Sequence, residues 1–158
     1  MKEVAQLLNA ICAAGVISEY ALFGAVAQMR YTEPVATLDA EVLVAAPLSA
    51  SLDVLTPIYK LSAARGYAPE GEAVRAGAWP VQFIPVFSEL TRDALQQANA
   101  VEFEGVPFRA VRADYLAVTA LSAGRVKDLT RILALLEAGS VTPEGIGSLA
   151  DRYGLSDA

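Results

Sequence analysis

The chain has 158 residues, enough for one domain with a buried core. It is 54% hydrophobic with a mean hydropathy of +0.40, yet no run of about 18 uncharged apolar residues occurs, which argues against a transmembrane helix. The formal net charge of −6 disfavours general binding to nucleic-acid backbone, and the absence of histidine removes Ser–His and Cys–His nucleophiles and histidine-held zinc.

The N-terminal stretch MKEVAQLLNAICAAG has one lysine followed at once by Glu3. A secretory leader needs a more basic start, so the stretch reads as an amphipathic helix over 2–14, with Leu7, Leu8, Ile11 and Cys12 on one stripe and Gly15 as its stop. Cys12 is the single cysteine and cannot close an intramolecular disulfide. Its apolar neighbours predict a buried thiol, which fits a reducing cytoplasm.

Ser18 to Phe23 reads as a strand, Gly24 as a turn, and Ala25 to Arg30 as a short helix that ends before Pro34. Leu38 to Ala45 reads as a second strand. Asp39 and Glu41 are two apart on it and share a face, because side chains alternate. Two readings stand here: a central strand with a cleft at its leading end, or an edge strand with solvated charges paired to Arg30 or Arg75.

Ser49 or Ser51 is placed to cap a helix over about 52–65. A polar connection follows, with a short strand at 72–75, and then WPVQFIPVF at 79–87 as the next strand. Ser88 or Thr91 caps a helix to about Asn99. Residues 101–103 and 107–111 form a hairpin around Glu104-Gly105. Helices over 114–121 and 125–138 come next, and Thr142-Pro143 opens a last one to about Tyr153. Gly145 and Gly147 weaken that helix, leaving the tail free to move or to dock on a partner. The alternation of strands and helices predicts an α/β (α+β) sheet with helices packed on it, as a single domain over 1–158. A sheet-bearing core spans 1–111 and a helical part 112–158.

A glycine ahead of a helix lets a phosphate approach free backbone N–H groups. Two carboxylates beside bound phosphates hold Mg2+ or Mn2+, the metals that suit an all-oxygen donor set. Gly24-Ala25, then about a dozen residues, then Asp39-Ala40-Glu41 resembles the signature of the nucleotidyltransferase superfamily. The stretch Ala100 to Gly139, with Arg125-Val126-Lys127-Asp128 opening a helix, looks like the small bacterial toxin–antitoxin-associated (AbiEii-like) branch. The resemblance covers roughly residues 15 to 140.

It implies a small mixed sheet flanked by helices, with helices at the C-terminus. It implies metal-dependent transfer of NMP from a nucleoside triphosphate to a hydroxyl on RNA or protein. Gly24 and Ala25 would lie at the triphosphate, Asp39 and Glu41 would hold the metal, and Arg125 or Lys127 would reach toward the cleft. Three positions depart from the pattern. Gln82 stands where a third carboxylate completes the site, and glutamine is neutral and a poor ligand for a second Mg2+. Glu72 is the nearest acid in sequence that could stand in for it. Ala25 stands where the family places Gly or Ser and offers no side-chain hydroxyl, and Thr119 takes the place of a lysine. The alternative is a catalytically inactive binding module with the same fold. It would act through a protein partner, a second copy of itself or a held nucleotide.

Overall fold

The computed structural model describes residues 1–47 and 53–155. The seven strands are β1 (Glu19–Phe23), β2 (Ala40–Ala45), β3 (Pro69–Glu70), β4 (Ala73–Ala76), β5 (Trp79–Pro85), β6 (Asn99–Phe103) and β7 (Val106–Ala110). They form one sheet in the order β3-β4-β5-β2-β1-β7-β6. The sheet is mixed: β2–β5 and β1–β7 are parallel and the other pairs antiparallel. The helices are α1 (Lys2–Ala13), α2 (Gly24–Gln28), α3 (Leu55–Ala64), α4 (Glu89–Gln96), α5 (Ala113–Ala123), α6 (Val126–Glu137) and α7 (Pro143–Asp151).

Strand β2 is hydrogen-bonded on both edges. Ala40, Val42, Leu43 and Val44 are all fully buried, so both faces of this strand are covered. That rules out the edge-strand reading. The strand starts at Ala40, and Asp39 lies just ahead of it, where the Thr37 hydroxyl donates to the Asp39 carbonyl at 3.0 Å. Arg75 pairs with Glu70, and among the described residues neither Asp39 nor Glu41 forms an ion pair.

The expected strand at 72–75 is the second arm of a hairpin, β3–β4. The expected capping serines Ser49 and Ser51 lie outside the described residues. Instead Asp53 Oδ1 accepts the Thr56 amide at 3.1 Å beside the start of α3. Ser88 caps α4 in a reciprocal box with Thr91. Both residues of the β6–β7 turn have positive φ, 49° at Glu104 and 81° at Gly105, the backbone of a tight two-residue hairpin. Cys12 is half-buried rather than buried, its Sγ 3.6 Å from the Ser18 carbonyl.

Helix α7 is held in place despite its glycines. Thr142 caps α7, Leu149 and Ala150 are buried, and the Tyr153 hydroxyl donates to Asp93 on α4 at 2.6 Å. Helix α5 is buried along most of its length and carries both α6 and α7. Thr119 lies within it, and its hydroxyl donates back to the Tyr115 and Leu116 carbonyls. Position 119 therefore belongs to the core rather than to a cleft.

Helix α6 is anchored by Leu135, which is fully buried, and by Asp128. Leu135→Ala should leave a cavity and cost about 3 kcal/mol. A urea midpoint matching the wild type would contradict that anchoring.

Candidate active site

The site is built where β1, α2, β2 and α6 meet. Strand β1 ends at Phe23 in extended geometry, and Gly24 turns the chain into α2 with φ of 60°. Only glycine takes that conformation at low cost. Space demands glycine as well: a Cβ on Gly24 would run into Glu41 Oε2 and lie 2.9 Å from Glu41 Cδ. The Glu41 carboxyl group is thus laid against the Gly24 backbone.

Register then fixes what lies beside it. Glu41 pairs with Phe23 of β1 on one side and with Gln82 of β5 on the other. Residues opposite one another across a ladder share a face, so Gln82 is the lateral neighbour of Glu41. Continuing the β4–β5 register places Ala73, not Glu72, opposite Gln82. Glu72 is exposed, and its carbonyl accepts the Tyr59 hydroxyl at 2.8 Å. Among the described residues no group of three or more acidic, cysteine or histidine side chains is arranged to hold a metal.

A cleft of about 250 Å³ is lined by Ala25, Gln28, Val35 to Thr37, Asp39, Glu41, Lys127, Thr130 and Arg131. It joins the expected Ala25, Asp39, Glu41 and Lys127, and Gly24 closes against it through Glu41. Arg125 does not line it. Its side chain is 60% exposed and turned to Asp128, with Nε to Oδ2 at 2.6 Å and Nη2 to Oδ1 at 3.2 Å. The hydrogen bond and charge of Asp128 hold the Arg125 guanidinium above its ordinary value. The nearby charge of Glu41 pushes the same way.

Asp128 is the buried member, 1% exposed. Burial acts to raise its carboxyl, but hydrogen bonds from the Arg125 side chain and amide, with the charges of Arg125 and Arg131, outweigh burial and hold it below the usual value. Arg131 and Gln28 are residues that sequence reasoning missed. Arg131 lies outside the Arg-x-Lys-Asp stretch. Its signal was helical spacing, since it falls one turn after Lys127 and so on the same face.

No protein-family profile and no curated protein matches the sequence. Solved structures do. An antigenic nucleotidyltransferase-like protein from Paracoccidioides brasiliensis is 14% identical at a TM-score of 0.58, over 100% of this chain and 94% of that one. The fold is nucleotidyltransferase-like. ANT(2'')-Ia in complex with adenylyl-2''-tobramycin is 10% identical at a TM-score of 0.56, over 98% of this chain and 97% of that one. The solution structure of the antibiotic-resistance factor ANT(2'')-Ia is 11% identical at 0.55, over 97% and 91%. Within this nucleotidyltransferase-like fold the cleft has two carboxylates, Asp39 and Glu41, faced by Lys127 and Arg131.

Gly24→Ala should cost about 2 kcal/mol, from strain at positive φ together with displacement of Glu41. Adding Glu41→Ala should recover the steric part only, which a double-mutant cycle in urea would resolve; a cycle with no coupling would contradict the close approach. Asp128→Asn should cost about 2 kcal/mol at neutral pH. The Asp128 carboxyl is depressed, so its contribution is present above the unfolded value of about 4 and fades as the pH falls through the folded value. The gap between wild type and variant should therefore close in acid, and a gap independent of pH would contradict the charged pairing.

Proposed function

We propose that the chain is a nucleotidyltransferase-like protein that binds a nucleoside triphosphate with one divalent cation in the cleft of Asp39 and Glu41. The observation that carries this is the convergence, on that fold, of two carboxylates and two cationic side chains on one cavity. Asp39 and Glu41 are hard oxygen donors, and Mg2+ or Mn2+ is commonly held by one or two carboxylates plus substrate phosphates. The donor set fits one such ion and does not fit a second, because Gln82 is neutral. The ion would supply charge neutralisation at the phosphate oxygens. Lys127 would take phosphate charge from the α6 side.

The chemistry in view is attack of an acceptor hydroxyl on the α-phosphorus. A new P–O bond forms as the bond from the α-phosphorus to the pyrophosphate oxygen breaks, pyrophosphate leaves, and the hydroxyl proton passes to solvent water. The Gln82 amide cannot take that proton near neutral pH, so transfer should be slow. The acceptor, RNA or protein, and the toxin–antitoxin-associated (AbiEii-like) affiliation follow from the sequence resemblance. A reducing cytoplasmic setting fits the single cysteine. No helix among the described residues is long and apolar enough to cross a membrane.

Two observations favour the second reading, a catalytically inactive binding module of the same fold that acts through a protein partner or a held nucleotide. Gln82 stands directly beside Glu41. Val126, Leu129 and Leu133 form an exposed apolar stripe along α6, 83%, 49% and 59% exposed, of the kind that meets another protein surface. If that stripe is an interface, Leu129→Glu with Leu133→Glu should lower the mass measured by light scattering. An unchanged mass at all concentrations would remove the self-association version of this reading.

Calorimetry with ATP, GTP, CTP and UTP, with and without Mn2+, tests the main reading. Binding should require the metal and vanish in Asp39→Ala. Gln82→Asp should then raise NMP transfer roughly tenfold or more. No binding of any of the four would end the nucleotide reading, and binding without gain in Gln82→Asp would favour the inactive module.

A further inference from the structure

Arg131 is largely enclosed, its side chain 14% exposed, yet it lines the cleft. A guanidinium carries five N–H donors. Among the described residues its one hydrogen bond runs from Nε to Gln28 Oε1 at 3.1 Å. Nη1 stands 3.7 Å from Asp128 Oδ1, a charge contact longer than a hydrogen bond. The η nitrogens therefore keep most of their donors for whatever enters the cleft. Gln28, itself 4% exposed on α2, holds the Nε edge and so fixes the plane of the fork. Asp128 spends its shortest bonds on Arg125 and takes only a share of the Arg131 charge.

The geometry points to Arg131 as an anion-binding residue of the cleft, taking a polyphosphate chain through its η nitrogens while Gln28 holds the guanidinium in place. A planar fork with two free parallel donors matches phosphate oxygens, which a lysine ammonium does not reproduce. The carboxylates of Asp39 and Glu41 are the other charges in the cavity. Neither is ion-paired to Arg131, whose one ion pair among the described residues is the 3.7 Å contact with Asp128, so most of its hydrogen-bond donors remain unspent. The assignment deepens the nucleotide reading and rests on it for the identity of the physiological ligand, but its test does not.

The probe is inorganic tripolyphosphate without metal, titrated calorimetrically into the full chain. The wild type should bind it. Arg131→Met and Arg131→Lys should each weaken binding about tenfold or more, and Asp39→Ala should tighten it by removing a repelling charge. Circular dichroism checks that the variants fold, and the lysine variant, which keeps the charge, carries the test if the methionine variant does not. Absence of wild-type binding, or wild-type affinity in both folded variants, overturns the assignment. The two readings separate on the Mn2+–nucleotide titration. Nucleotide binding that needs Asp39 but ignores both Arg131 variants sinks this inference alone. Arg131-dependent tripolyphosphate binding with no nucleotide binding sinks the nucleotide reading alone.

Discussion

Strand β2 is bonded to a neighbour on each edge, and from Val42 onward nothing polar is tolerated on either face. A carboxylate buried there without a partner would cost several kcal/mol or neutralise. Its leading end is the only part of the strand that can carry acids cheaply, and there Glu41 and, just ahead, Asp39 are found. The position of the cleft thus follows from where the sheet stops excluding charge. The parallel partner β5 extends the same row, so whatever residue stands at position 82 sits against Glu41 whether or not it is acidic.

The opposite wall comes from a different part of the chain. Helix α6 is turned by its anchors, Leu135 and Asp128, so that Lys127, Thr130 and Arg131 face the strand end. Asp128 is buried with its charge answered by Arg125 and Arg131, so two arginines share one carboxylate. One spends its donors on Asp128 and stays at the surface. The other is enclosed and keeps most of its donors. The same helix presents Val126, Leu129 and Leu133 on its outer side, so a single element serves the cleft and an exposed apolar surface.

Much of this was legible in the residues. Alternation placed Asp39 and Glu41 together, Pro34 ended the short helix, Thr142-Pro143 opened the last one, and Glu104-Gly105 marked the hairpin. The nucleotidyltransferase-like fold was legible through Gly24 and the acid pair. The position of Gln82 beside Glu41 needed the β2–β5 register, which depends on how two strands about 40 residues apart align and is not written in either strand alone. Glu72 looked close in sequence but register brings its neighbour Ala73 forward instead. Arg131 was missed because a buried arginine and an exposed one look alike in a helical pattern. Its burial depends on α2, about 100 residues earlier. Arg125 looked like a cleft residue, but its reach is consumed by a carboxylate three positions on.

The close approach of Glu41 to Gly24 has an entropic side. A glutamate side chain free in solvent surrenders up to about 2 kcal/mol of rotamer freedom when it is ordered. Here the backbone of the turn restricts those rotamers during folding, when the loss is shared with the rest of the core. A ligand bound at the strand end would meet a carboxyl group whose rotamers the turn already limits, and would spend less of its binding free energy on arranging it. A side chain at position 24 would exclude that rotamer and leave Glu41 to find another, even where the fold survived.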